Sequence, residues 1–286
     1  MSRSSGPTRL LIAGLIAAGL MAPAAAAQGA GRAGAAVAVA PSRAAAALGP
    51  LLNIPQTWNN CGPTSVAEVL AYWGIARTQY QTKAVLRGDG NPYGMAPYDV
   101  PAYMRSLGMR GLVGVGGSER LVKALVSNGF PVIVSQYVSA TDHVGHYRPV
   151  QSYDDAQGSF TSSDPYLGQG HAIGYGEFDA IWQSTDRRFL VLYPPSKGPL
   201  LDAVLASVGW DKRVAYSHDL ARVQGQLQGR IADTTGYGSH HNYYLSIAWD
   251  ELQLGRMSAA RAAIRQALAA GANPITAGWI SAQLPH

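Results

Sequence analysis

Polar and apolar positions change rhythm along the chain. Between residues 61 and 74, Val66, Val69, Leu70 and Trp73 recur at helical spacing and give one apolar face. Asn59 and Asn60 precede this run as capping residues. Pro63 sits in the first turn, where its missing N–H costs nothing, and Gly74 closes the helix. The same signals predict helices over Val100–Leu107, ended by Gly108, and over Ser118–Asn128, capped by Ser118 and ended by Gly129. The pattern then shortens. "FPVIVSQYV" (130–138), "HYRPVQSYD" (146–154), "GSFTSSD" (158–164) and "RRFLVLYP" (187–194) are rich in β-branched and aromatic residues and read as strands. "YDDAQGSF" between two of them reads as a hairpin turn. Short connections imply a mostly antiparallel sheet, so the class is α+β. Beyond Pro199 the helical period returns. Leu200–Ile231 reads as helical, and residues 242–274 hold two amphipathic helices joined at Gly255-Arg256.

The N-terminus carries a different signal. Arg3 and Arg9 flank the apolar run Leu10–Met21, and small residues follow as far as Ala27. This predicts a cleaved secretory signal over residues 1–27. An uncleaved anchor is the alternative, for which the apolar run is short. This stretch has no Arg-Arg pair, which fits the general export route better than the twin-arginine one. Residues 28–49, mostly Ala, Gly and Arg without a period, read as a flexible tether. The expected organisation is therefore a signal (1–27), a tether (28–49), an α+β domain (50–198) and a helical region (199–286). After the signal no apolar run reaches the roughly 20 residues of a membrane span.

Charge narrows the partners. The signal contains two arginines and no acids, so its removal lowers the formal charge from +5 to +3. No dense Lys/Arg run remains, which argues against nucleic acid. His240 and His241, with Asp233 and Asp250, raise a metal site as one reading, but adjacent histidines in a loop have poor ligand spacing. A solvated loop is the favoured reading, and neither metal nor cofactor is expected.

Cys61 is the only cysteine, so it cannot form an internal disulfide. An odd thiol in an exported chain points to a free, reactive group. Its place at the start of a helix favours the thiolate, because free N–H groups and the helix dipole stabilise negative charge. A nucleophilic thiol needs a histidine near it in space, and that histidine needs an acceptor to orient it. His146 begins one predicted strand and Asp164 ends the next, so a hairpin places the two side by side. His143, three residues earlier, is the rival base. His171, in "GQGHAIGYG", reads as surface. Gln56, five residues before the cysteine, is positioned to join the Cys61 N–H as an oxyanion donor. Trp58 either lines a substrate groove or packs in the core, the latter being favoured.

"PQTWNNCGPTSVAEVLAYWG", "GHYRPVQSYDD" and "SSDPYLG" together resemble the bacteriocin-processing, double-glycine-leader cysteine peptidases and their stand-alone relatives. "EFDAIW" (177–182) is similar to that family's short helix after the aspartate, and the likeness spans about residues 50–195. The resemblance implies a papain-like fold. It implies a Cys-His-Asp triad at Cys61, His146 and Asp164, with Gln56 completing the oxyanion hole. Two features depart from the family's pattern. Arg148 stands where the histidine strand is usually apolar, and no transporter part follows, so the leader-peptide substrate does not carry over. The spacing of Ala248, Leu252, Gly255, Ala260, Ala263 and Ala267 resembles one tetratricopeptide unit; an ordinary helical hairpin is the alternative.

These readings predict an exported cysteine peptidase or amide hydrolase acting on a peptide or protein, with a helical tail able to dock a partner. An acyltransferase on the same triad and a non-catalytic peptide-binding module are the alternatives.

Overall fold

The computed structural model describes residues 37–88, 94–232 and 240–285. The predicted signal, the first part of the tether and Asp233 lie outside the described residues.

An antiparallel sheet forms the centre. Its strands are β1 (Ala45–Ala47), β2 (Arg110–Gly114), β3 (Val132–Tyr137), β4 (Gly145–Asp154), β5 (Ser159–Asp164), β6 (Gly168–Gly174) and β7 (Phe189–Tyr193). The order across the sheet is β2-β7-β3-β4-β5-β6, and β1 pairs with the far end of β4. Consecutive strands β3 to β6 are joined as hairpins, which the short connections predict.

Strand alternation fills both faces. On β3 and β7, Val132, Val134, Phe189 and Val191 join one apolar cluster, while Ile133, Leu190 and Leu192 join another. The first face is covered by α4 (Glu119–Ser127), α5 (Tyr175–Trp182) and α6 (Gly198–Ser207). The second is covered by α1 (Cys61–Tyr72), α2 (Gln79–Leu86) and α3 (Val100–Ser106). The predicted start of α4 is seen in detail, since Ser118 Oγ accepts from the Leu121 N–H at 3.2 Å.

Two expectations change. Within the tether forecast to residue 49, residues 40 and 45–47 make defined contacts. Asn128 exchanges hydrogen bonds with both backbone groups of Ala40, and β1 adds an edge to β4. Backbone pairing, which needs no particular side chain, explains why an alanine run can be a strand. The helical region beyond residue 199 also shares the core of the α+β part. Helices α7 (Lys212–Leu227), α8 (His240–Gln253), α9 (Met257–Ala269) and α10 (Pro274–Ser281) bury Tyr216, Leu220, Trp249, Ile264 and Ile280 in the same cluster as Cys61 and Val66. The Tyr216 hydroxyl donates to the Val113 carbonyl, and Trp249 Nε1 donates to that hydroxyl at 3.3 Å. Gln283 Nε2 donates to the Tyr98 carbonyl at 2.6 Å, and the Tyr98 and Trp249 rings lie 5.1 Å apart. Helices α8 and α9 form a hairpin across Gly255, whose φ of 77° suits glycine. No helix of the described residues is long and apolar enough to cross a membrane.

Candidate active site

The segment leading into α1 is fixed before the helix begins. Asn53 Nδ2 donates to the Asp164 carbonyl at 3.0 Å and to Ser163 Oγ at 3.2 Å. The Ile54 N–H donates to Glu68 Oε1 at 2.7 Å, and the Gln56 N–H donates to the Pro165 carbonyl at 2.8 Å. Gln79, which opens α2, donates to the Pro55 carbonyl at 2.9 Å and accepts from the Thr57 N–H at 2.8 Å. Residues 53–57 are thereby held between the end of β5 and two helices, and Gln56 with them.

The predicted asparagine cap takes another form. Asn60 occupies the cap position, yet its side chain makes no capping hydrogen bond. Its Nδ2 donates to Thr57 Oγ1 at 2.6 Å, and its Oδ1 accepts from buried Arg87 at 2.9 Å. Asn59 adopts φ 56°, which asparagine tolerates better than most residues. With no side chain over them, the first N–H groups of α1 are left to act on Cys61 and on whatever approaches it.

Cys61 is the first residue of α1 and is buried. Burial pushes a thiol's pKa up. Here the hydrogen bond and charge of His146, with the N–H groups of Tyr147 and Gly62, outweigh burial and hold the thiol below its ordinary value. Gly62 is required by packing, because a Cβ there would stand 2.7 Å from the Cβ of Met95.

His146 is the second residue of β4 and is 3% exposed. Its Nε2 lies 2.9 Å from Asp164 Oδ1, which leaves Nδ1 as the ring nitrogen for the thiol. Burial pushes the imidazole pKa down, but the hydrogen bonds to Asp164 and Cys61 prevail and raise it. The lowered thiol and the raised imidazole together favour a thiolate–imidazolium pair. Asp164 is fully buried at the end of β5. Its Oδ1 also accepts from the N–H groups of Tyr166 at 2.7 Å and Leu167 at 2.9 Å. Burial alone would raise its pKa. The His146 hydrogen bond and charge, the Arg148 charge and the Leu167 N–H hold it at about 2.

Cys61, His146 and Gln56 meet in one cleft of about 430 Å³, which Trp58, Val144 and Tyr166 also line. Trp58 is 73% exposed, so the favoured expectation of core packing is corrected. Its position beside Arg87, 5.7 Å from ring centroid to guanidinium carbon, holds it over the cleft rather than in the core.

The rival histidines lie elsewhere. His143 is exposed, stacks on Tyr137 at 4.7 Å and has Nε2 3.0 Å from the Ala140 carbonyl. His171 is half-buried on β6; burial and the nearby Arg148 charge lower its pKa. His240 and His241 begin α8 rather than a loop. Among the described residues no group of three or more His, Cys, Asp or Glu side chains is placed to hold a metal ion.

Sequence reasoning passes over Glu68. It lies seven residues after Cys61, two turns down the same face of α1, and is fully buried. Burial and the nearby Asp164 raise its pKa to about 8, against hydrogen bonds from the Ile54 N–H and Ser163. A lone acid inside an otherwise buried helical run is the signal that marks it.

The family comparison supports a papain-like cysteine peptidase. Residues 50–188 match the Peptidase_C39 like family. Three solved structures are partly similar. A double glycine motif protease from an AMS/PCAT transporter, in complex with the leader peptide, is 21% identical, with 51% of this chain and 91% of that one covered and a TM-score of 0.39. A C39-like peptidase from Bacillus anthracis is 18% identical, covering 52% and 96%, with a TM-score of 0.43. The peptidase domain of Streptococcus ComA, a bi-functional ABC transporter involved in a quorum-sensing pathway, is 18% identical, covering 49% and 96%, with a TM-score of 0.40. The family assignment rests on the sequence match and not on these partial likenesses. No curated protein matches the chain.

Proposed function

We propose that the protein is an exported cysteine peptidase or amide hydrolase working through a Cys61-His146-Asp164 triad and a thioester acyl-enzyme. The observation that carries this reading is the position of His146, which pairs with Asp164 on one side and lines one open cleft with Cys61 on the other. Cys61 Sγ attacks the acyl carbonyl. His146 accepts the thiol proton and returns it to the leaving amine. Asp164 keeps the ring in the tautomer that serves the thiol. The Cys61 N–H and the Gln56 amide receive the oxyanion. Water, activated by the same histidine, releases the acyl group and restores the thiol.

The open cleft suits a peptide or protein segment. The predicted N-terminal signal supports export. A non-catalytic binding module would tolerate a histidine turned away from the cysteine, which is not the arrangement here. We read helices α7–α10 first as part of the enzyme's core, with their exposed faces left for any partner.

The test is labelling of Cys61 by iodoacetamide near neutral pH, followed by peptide-library cleavage. The folded protein should react much faster than a model thiol, and Cys61→Ala should abolish cleavage while leaving the fold intact. Labelling no faster than the model thiol would sink the reading. Release of product to an added amine in preference to water would identify acyl transfer instead.

A further inference from the structure

Arg148 breaks the apolar pattern expected after the histidine, and its surroundings account for it. It follows His146 by two residues on β4, so both side chains leave the same face of the strand. The guanidinium is fully buried, and its Nε lies 3.1 Å from Asp164 Oδ2. The carboxylate is thus shared, with Oδ1 facing His146 and Oδ2 facing Arg148. At its other end Arg148 Nη2 donates to the Val138 carbonyl at 2.7 Å and the Tyr137 carbonyl at 3.3 Å. Val138 begins the connection between β3 and β4, which lines the cleft with Val138, Asp142 and Val144. One side chain therefore reaches from the orienting carboxylate to the wall of the substrate cleft.

Burying a guanidinium is costly, and well-packed apolar side chains of similar volume often serve stability as well or better. Stability alone therefore does not account for a charge at this point. We propose that Arg148 is a positioning residue that fixes Asp164 against His146, sets the charge balance of the Cys61–His146 pair, and ties the β3–β4 connection to the triad. This rests on the reading of Cys61, His146 and Asp164 as the triad. The other ionisable groups facing the site are Glu68 from α1, His171 from β6, Glu177 from α5, and Asp142 and Tyr166 from the cleft. To this group Arg148 brings the positive charge; burial lowers its pKa and the neighbouring Asp164 charge opposes that.

Two variants separate the two roles. Removing a positive charge raises the pKa of every acid near it. In Arg148→Met, both inflections of the iodoacetamide rate against pH, one for the thiol and one for the imidazolium, should move upward by about 0.5–1 pH unit. Arg148→Lys keeps the charge, so the inflections stay in place. Its shorter single-point ammonium cannot hold both Asp164 and the Val138 carbonyl. The concentration of a dipeptidyl chloromethyl ketone giving half-maximal labelling should therefore rise about 3–10-fold, a loss of the order of one hydrogen bond. Because Cys61 is the sole cysteine, mass spectrometry reads both reactions at one site. Superimposable pH profiles for wild type and folded Arg148→Met would overturn the proposal. Should that variant not fold by circular dichroism, Arg148→Lys decides, and an unchanged half-maximal concentration overturns it. A wild-type thiol no more reactive than glutathione overturns the triad reading itself, a result distinct from either.

Discussion

Asp164 meets His146 where water does not reach: Oδ1 and Nε2 are 2.9 Å apart, with the carboxylate fully buried and the ring 3% exposed. The same oxygen takes two backbone N–H groups, so the carboxylate is fixed before the histidine uses it. A contact so sheltered keeps its strength, because solvent does not screen it.

Asp164→Asn should preserve the fold while presenting the ring in the wrong tautomer. We expect kcat to fall by about 10³–10⁴-fold, the scale seen when a triad aspartate is amidated in other hydrolases. Steady-state kinetics on a library-derived peptide measures this. A loss confined to KM would mean that Asp164 does not orient the histidine.

Gln56→Ala should lower kcat by about 10²–10³-fold with little change in KM, since an oxyanion donor acts on the transition state more than on bound substrate. The segment around it is clamped by main-chain hydrogen bonds, so thermal stability should hardly change. Equal losses in binding and turnover would assign Gln56 to substrate binding.

Glu68 gives a stability prediction with a definite sign. Its folded pKa is about 8, above the ordinary carboxylate value near 4.3. Between these values the folded state keeps a proton that the unfolded chain has lost, so stability falls as pH rises from about 4.5 to about 8. Asp186, raised to about 7, adds a slope of the same sign. Glu68→Gln should remove one proton's share, up to about 1.4 kcal/mol per pH unit. Urea unfolding at pH 5, 6, 7 and 8 tests this. Parallel pH curves for variant and wild type would show that Glu68 is ionised in the fold.

Trp249→Ala should cost about 3–5 kcal/mol, the usual range for emptying a large core site. Trp249 belongs to the last third of the chain but packs on Tyr98 and hydrogen-bonds Tyr216. If helices α7–α10 were only a docking appendage, the melting transition of the peptidase part would be unmoved.

The elements that position the site were readable where side-chain chemistry marks them. Cys61 before Gly-Pro, His146 opening a strand and Asp164 closing the next carry their places in their types and spacing. Three strands were not readable, for separate reasons. β1 is three alanines and exists only through pairing with β4. β2 is short, with a glycine near each end. In β6 the register shifts between Ser162 and Ser163, and Gly170, at φ 75°, takes up the extra residue, so no alternation survives. Helix α2 depends on a capping box between Thr78 and Gln81 rather than on a strong apolar stripe. The asparagine before Cys61 was legible as a cap but not as a partner of Arg87, since that contact joins residues 27 apart in the chain. The reach of the tail into the core is likewise a long-range property, invisible to local periodicity.

That shared core has a consequence for biogenesis. Cys61 and Leu284 lie in one apolar cluster, so the packing around the thiol is complete only when the last helices have docked. Contacts of such long sequence separation form late and slowly. Synthesis of nearly the whole chain therefore precedes a stable fold, and the thiol reaches its final surroundings only after the last helix has formed.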